Sequence, residues 1–185
     1  RLPSLLLTIA TALVVWRMAA RHASRDAALL ATTVFATMGL VFISAGTVAT
    51  DVALLFGTTL AMAGFWQAVA GADPERRAGN VVFCAGLAIG LLAKGPVVLV
   101  LVGLPLVLWT AWQRAWGPAW QRVHWLAGGL LTLLAVVPWY AAAERATPGF
   151  LEYFLVGEHW QRFTQPGWTG DRYGAGHAWP RGTIW

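Results

Sequence analysis

The chain has 185 residues, of which 58% are hydrophobic and only 11% are charged, and its mean hydropathy is +0.60. This composition excludes an ordinary soluble domain and predicts an all-α integral membrane protein. The formal net charge of +5 does not indicate nucleic-acid binding, because the basic residues do not cluster between aromatic residues on one solvated face.

Six apolar segments follow one another along the chain, and several approach the roughly 20 residues that a membrane-spanning helix needs. They cover residues 2–16, 27–45, 52–70, 81–93, 96–112 and 126–143. The fourth segment is short for a span unless residues 78–80 extend it. The sequence therefore predicts a bundle of about six transmembrane helices over residues 1–143, followed by an extracytoplasmic region over residues 144–185.

The arginines predict how the helices are oriented, because short cytoplasmic loops carry an excess of positive charge. The first, third and fifth connections contain seven arginines, whereas the short turns 46–51 and 94–95 contain one cation, Lys94. The seven are Arg17, Arg21, Arg25, Arg76, Arg77, Arg114 and Arg122. We therefore expect the odd connections to be cytoplasmic, and Asp51, Lys94 and the tail from residue 144 onward to face outward.

Lys94 is the one charged residue between positions 81 and 112. Gly95 and Pro96 follow it, and this pair is a natural end for a helix. The lysine either caps a helix C-terminus and snorkels, or binds a ligand, and its place beside an apolar bundle favours a phosphate. Asp51 has two interpretations as well, a first-turn or N-cap acid and a polar contact in an active site.

A different kind of sequence begins after the last apolar segment. Thr147 and Pro148 are typical of a helix start, and apolar residues then recur at helical spacing. This pattern predicts an amphipathic helix over residues 148–163 that lies on the membrane. Its polar end carries Glu158, His159 and Arg162, and the spacing of Glu158 and Arg162 suits either a plain surface ion pair or a substrate contact.

The segment 165–182 is rich in glycine and proline, which indicates a loop. Asp171, Tyr173 and His177 lie in this loop and add a carboxylate, a hydroxyl and an imidazole to the candidate site. Together with Glu158 and His159 they have the side chains that suit Zn²⁺ or Mn²⁺, although their spacing matches no compact metal motif.

Five strings occur here in the order in which they occur in bacterial membrane glycosyltransferases. They are RLPS (1–4), TD (50–51), GLLAKGP (90–96), PWY (138–140) and PGFLEYFLVGEHWQRF (148–163). Over essentially its whole length, the chain therefore resembles the protein mannosyltransferase and aminoarabinose transferase superfamily.

The resemblance implies a GT-C fold, a polyprenyl-phosphate sugar as donor, and a lipid or protein acceptor at the extracytoplasmic face of the bacterial inner membrane. It implies that Lys94 lies near the donor site, and that the His159 segment belongs to a roof over that site. It also implies a zinc ion held by His159 and, less directly, His177. The family's catalytic aspartate lies in a loop before the RLPS string, so we expect it upstream of Arg1 and do not assign that role to Asp51.

Residue chemistry and resemblance together give one set of candidate substrate-binding residues. These are Lys94, Asp51, Glu158, Arg162, Asp171 and Tyr173. The alternative function is a transporter or lipid flippase segment, with Lys94 as a substrate or ion ligand. Transport predicts internal repeats and broken helices that meet near the middle of the membrane. The first and last three apolar segments are not similar to each other, which argues against a transporter. A purely structural membrane subunit would leave the polar residues between Glu158 and His177 without a role. The transferase is therefore favoured, largely through the resemblance.

Overall fold

The computed structural model describes residues 1–165, 168 and 170, and in this part of the chain all regular secondary structure is helical. The chain forms two compact units, Arg1–Val136 and Val137–Trp185. The helices are α1 (Leu2–His22), α2 (Arg25–Thr37), α3 (Gly39–Ala45), α4 (Thr50–Ala70), α5 (Asp73–Lys94), α6 (Val97–Trp112), α7 (Trp116–Arg122), α8 (Trp125–Ala146), a π-helix (Glu152–Gln161) and α9 (Arg162–Thr164).

Each predicted apolar segment forms helix over most of its length, and the described residues contain four or five helices that could span a membrane and one shorter apolar helix, where the sequence predicted about six. Four helices, α1, α4, α5 and α8, are long and apolar enough to cross a membrane, with 21 or 22 residues each. The helices α2 and α3 make a fifth span only if they count as one, and they are bent by 67° at Met38. The 16 residues of α6 are apolar but short. The molecule is a multi-pass helical membrane protein.

The helices extend beyond the apolar segments that predicted them. α5 begins at Asp73 rather than at residue 81, and α1 ends at His22 rather than at residue 16. Several arginines that the sequence placed in connections therefore lie on the ends of these helices. The physical reason is that hydropathy marks the part of a helix inside hydrocarbon, whereas backbone hydrogen bonds continue into the polar headgroup region.

α4 and α5 run antiparallel with their backbones in direct contact. A methyl group on Gly57 would lie 2.7 Å from the Gly90 backbone nitrogen, and one on Gly64 would lie 2.8 Å from the Gly79 carbonyl oxygen. Small residues at such positions let two membrane helices approach closely, where van der Waals contact holds them together. This seam places the N-terminal end of α4 beside the C-terminal end of α5.

The break between α5 and α6 lies where the glycine and proline predicted it. α5 ends at Lys94, and Gly95 follows with φ of 62°, a left-handed conformation that favours glycine. The Gly95 N–H donates to the Leu91 carbonyl at 2.8 Å, and Pro96 then leads into α6. The turn is tight, so Lys94 is fixed at a helix end and not carried on a long loop.

The second unit differs from its prediction at the start of the helix. Pro148 and Gly149 lie in a turn, Gly149 has φ of 84°, and ten residues from Glu152 to Gln161 form a π-helix. The predicted cap at Thr147 is wrong, because the Glu144 carboxylate accepts hydrogen bonds from the N–H groups of Gly149 and Leu151, at 2.9 and 2.8 Å. A side chain of the preceding helix therefore satisfies the amides that Thr147 was expected to cap.

Candidate functional site

Asp51 and Lys94 form an ion pair in the first unit. The Lys94 ammonium nitrogen lies 2.5 Å from the Asp51 carboxylate oxygen Oδ1. Asp51 is in the first turn of α4, whose N-cap is Ala49, and Lys94 is the last residue of α5. A carboxylate at a helix N-terminus and an ammonium at a helix C-terminus both match the helix dipoles. The structure thus joins two residues that the sequence singled out separately.

The exposure of this pair limits what it contributes to stability. The side chains of Lys94 and Asp51 remain 40% and 61% exposed. Ion pairs with this exposure contribute at most about 1 kcal/mol to folding. The close backbone contact of α4 and α5 at their glycines, and not this ion pair, is therefore what holds the two helices together.

An apolar groove runs along the same helices. Its volume is about 230 Å³, and Leu87 of α5 and Leu99 of α6 are the lining residues nearest to Lys94 along the chain. It continues past Val102 and Leu106 of α6 to Trp116 and Trp125. A long apolar lining suits the hydrocarbon chain of an amphipathic ligand. Lys94 does not line the groove but lies about 10 Å from Leu87 along the axis of α5.

In the second unit, the π-helix aligns residues that are five positions apart. The Tyr153 hydroxyl donates to Glu158 Oε1 at 2.6 Å, and the His159 ring lies against Phe154 with its Nδ1 2.6 Å from the Phe154 carbonyl oxygen. In an α-helix, side chains five apart point in directions that differ by about 140°, given 3.6 residues per turn. π-helical turns are rare and occur frequently at functional sites.

Glu158 is the centre of a small polar network. Its second carboxylate oxygen accepts a hydrogen bond from Arg162 Nη1 at 2.7 Å, and the two side chains are only 20% and 26% exposed. The predicted ion pair is therefore present, but it is half-buried and shared with Tyr153. Sequence reasoning missed Tyr153, because its spacing from Glu158 has meaning only in a π-helix. Tyr153 also stacks on Trp168, with ring centroids 6.2 Å apart and planes at 21°.

The hydrogen bond of His159 determines which of its ring nitrogens carries a proton. Since a carbonyl oxygen can only accept, His159 Nδ1 carries a proton and donates it to Phe154. Histidines that bind metals through Nε2 commonly have this arrangement. Among the described residues, however, no three His, Cys, Asp or Glu side chains gather where they could hold a metal ion. These residues do not form a zinc site by themselves, and we assign no reaction step to a metal.

Three candidate residues, Asp171, Tyr173 and His177, lie outside the described residues. The structure thus joins Asp51 with Lys94 and Glu158 with Arg162. It adds Tyr153 to the second of these groups.

Comparison with known proteins gives the family. Residues 1–154 match the family model for dolichyl-phosphate-mannose-protein mannosyltransferase. The chain belongs to this family. The match covers the Asp51–Lys94 pair and the start of the π-helix, and it confirms the superfamily that the sequence motifs predicted.

Similar proteins include two curated enzymes, each an undecaprenyl phosphate-alpha-4-amino-4-deoxy-L-arabinose arabinosyl transferase. The protein of Edwardsiella ictaluri is 28% identical over 89% of this chain and 30% of its own length. The protein of Enterobacter sp. is 30% identical over 85% of this chain and 28% of its own length. This chain therefore spans less than a third of these relatives. Both are named as transferases, which favours the transferase over the transporter alternative.

The fold is also similar to a solved structure. The crystal structure of ArnT from Cupriavidus metallidurans in the apo state matches with a TM-score of 0.77 and 27% identity. The match covers 86% of this chain and 30% of that chain. It confirms the predicted GT-C membrane fold for this member of the mannosyltransferase family.

Proposed function

We propose that this chain contributes the donor-phosphate site of a glycosyltransferase in the bacterial inner membrane. The enzyme moves a sugar from a polyprenyl-phosphate donor to a lipid or protein acceptor at the extracytoplasmic face. The observation that carries this proposal is the Asp51–Lys94 pair, where the N-terminal end of α4 lies beside the C-terminal end of α5, in a chain that belongs to the mannosyltransferase family. The names of the curated relatives, which specify an undecaprenyl phosphate-linked sugar, support the class of donor.

Lys94 stabilises the leaving group in this proposal. Cleavage of the bond between the sugar and the phosphate increases the negative charge on the phosphate oxygens in the transition state. An ammonium carries three N–H donors and acts on a phosphate as a point charge. Asp51, at 2.5 Å from the ammonium, holds Lys94 in position, and a phosphate oxygen either joins Asp51 there or displaces it.

The apolar groove gives the donor's hydrocarbon chain a place to lie, and its lining residue Leu87 is about 10 Å from Lys94 along the axis of α5. Its side chains are mostly aliphatic and aromatic, which suits an isoprenoid chain. A donor held in this way has its phosphate at the membrane surface, where the sugar meets the acceptor.

In the second unit, we assign Arg162 to the polar part of a substrate. A guanidinium binds phosphate or hydroxyl oxygens through a fixed fork of donors. Glu158 orients that fork, and Tyr153 in turn orients Glu158. Asp171 and Tyr173 remain candidates for the same role, and His159 and His177 for a zinc ion.

A cleavage assay separates the transferase from a transporter. Membranes that contain the complete protein are supplied with a short-chain polyprenyl-phosphate sugar and acceptor lipids, and the release of sugar-free polyprenyl phosphate is measured. The transferase predicts release that depends on acceptor and protein. Intact donor that crosses the membrane without cleavage would instead support the transporter.

Orientation is tested separately by single cysteines in a Cys84→Ala background. Gln113 and Gln165 are both exposed and provide the two positions. An impermeant thiol reagent added to intact cells that admit it to the periplasm should label a cysteine at 165 and leave one at 113 unlabelled. The reverse pattern would contradict an extracytoplasmic active face.

A further inference from the structure

A second crevice, with a different chemistry, lies between α1, α4 and α5. Its volume is about 330 Å³, and its polar lining is Arg17 and Arg21 of α1 and Gln67 of α4. Its apolar lining includes Val14, Leu60 and Val82 of the same three helices. Asp51 and Gln67 are both on α4, and at 1.5 Å per residue they are separated by about 24 Å along its axis. The crevice is therefore distinct from the proposed donor site.

The charges in this crevice are not balanced within the described residues. Arg17 and Arg21 are one turn apart on one face of α1, and like charges at this spacing repel. Arg21 is paired with Glu75 in the first turn of α5. No carboxylate among the described residues pairs with Arg17, which is exposed. A crevice lined by two guanidinium groups, of which only Arg21 has a carboxylate partner among the described residues, is suited to an additional negative charge.

The depth of Arg17 in the membrane indicates where that negative charge comes from. Arg17 is five residues from the end of the membrane-spanning helix α1, a distance of about 7–8 Å along the axis. A long arginine side chain at this depth reaches the level of lipid headgroups while its stem stays in an apolar environment. Basic pockets between transmembrane helices at this level are typical binding sites for acidic phospholipid headgroups.

We propose that the crevice formed by Arg17, Arg21 and Gln67 binds the headgroup of an acidic phospholipid. The Arg17 guanidinium forms a bidentate contact with the phosphate, and the Gln67 amide donates to a phosphate or glycerol oxygen. Val14, Leu60 and Val82 contact the first carbons of the acyl chains. Bound lipid neutralises Arg17 and fills the space between α1 and the α4–α5 pair. This site does not depend on the donor site or on the direction in which the helices cross the membrane.

Native mass spectrometry of the complete protein in mild detergent tests the proposal. Phosphatidylglycerol and phosphatidylcholine with identical acyl chains are titrated, and the affinity of the first bound lipid is measured for each. The wild type should bind phosphatidylglycerol about tenfold more tightly than phosphatidylcholine, the scale of one charge-assisted contact. Arg17→Gln should abolish this preference. Glycerol phosphate without acyl chains should compete weakly, because it lacks the apolar contacts.

Arg25→Gln is the matched control, because Arg25 begins α2, the helix that follows α1, but does not line the crevice. It should retain the preference for phosphatidylglycerol, whereas a general effect of basic charge would reduce it as much as Arg17→Gln does. If Arg17→Gln yields no folded protein, Gln67→Leu is tested instead. This variant keeps both arginines and should weaken the preference for phosphatidylglycerol. An unchanged preference in the Arg17 or Gln67 variant, or no preference in the wild type, would overturn the proposal.

Discussion

The carboxylate of Asp51 lies 2.5 Å from the ammonium of Lys94, although the whole of α4 and α5 separates the two residues along the chain. The contact follows from helix packing. Two antiparallel helices of similar length that pack backbone to backbone have both pairs of ends side by side. Asp51 and Lys94 occupy the pair that lies opposite the short connection between α4 and α5. The glycine seam is thus the reason that a carboxylate and a cation meet at this point.

Asp51 should act through Lys94, and a double-mutant cycle measures this. Asp51→Asn should reduce sugar transfer by about tenfold, because the ammonium loses the partner that positions it, while protein stability changes by at most about 1 kcal/mol. In the double variant Asp51→Asn, Lys94→Ala, transfer should be no lower than in Lys94→Ala alone. Fully additive losses in the cycle would show that Asp51 has a role independent of Lys94.

The close approach of α4 and α5 should make Gly64 intolerant of any side chain. The methyl group of Gly64→Ala would collide with the backbone of Phe83, which should lower stability by about 1–3 kcal/mol. Gly103→Ala in α6 is the matched control, because nothing lies within 4 Å of the added methyl group. The control should be neutral or slightly stabilising. The melting temperatures of both variants are measured in detergent. Equal melting temperatures would contradict the close packing of α4 and α5.

Most of the first unit could be predicted from the sequence. Hydrophobic segments identified every membrane helix, and Gly95 and Pro96 identified the turn beside Lys94, because apolar length and backbone conformation are local properties. The pairing of Asp51 with Lys94 could not be predicted, since it depends on which helices pack together. The small residues Gly57, Gly64 and Gly86 indicate that their helices approach another helix closely, but they do not indicate which helix that is.

Tyr153 should contribute to transfer through Glu158 and Arg162. Tyr153→Phe removes the hydrogen bond of 2.6 Å to Glu158, and we expect transfer to fall by about tenfold, because hydrogen bonds to charged groups contribute about 1.5–3 kcal/mol. Thr164→Val is the control, since it removes a hydroxyl of the same segment whose hydrogen bond within the described residues goes to the Trp160 carbonyl. Equal transfer rates in Tyr153→Phe and the wild type would remove Tyr153 from the site.

The second unit was harder to predict, and the π-helix is the reason. The α-helical period of 3.6 residues per turn places Glu158 and Arg162 on one face, but it places Tyr153 and Glu158 on different faces. The predicted start of this helix is also wrong, because its cap is not local. Its capping group, Glu144, comes from the preceding helix, and no local pattern at Thr147 reveals it.

His159 provides a test of the zinc hypothesis. His159→Ala should reduce transfer, since it removes a ring that is held by the Phe154 carbonyl in the segment that carries Glu158 and Arg162. Elemental analysis of the purified complete protein, with and without the substitution, shows whether a metal is lost with the imidazole. Full activity in metal-free wild-type protein would exclude zinc, and full activity in His159→Ala would exclude the residue from the site.

The most direct test of the proposed function is sugar transfer by Lys94 variants of the complete protein. Lys94→Ala should lower transfer from a polyprenyl-phosphate donor by about 10- to 100-fold, the effect of losing a contact of about 1.5–3 kcal/mol to a charged group. Folded yield should stay near that of the wild type, because the ion pair with Asp51 is exposed. Lys94→Arg should retain part of the activity, since it keeps the charge but changes its geometry. Wild-type transfer by well-folded Lys94→Ala would contradict the account and leave Lys94 as a helix cap.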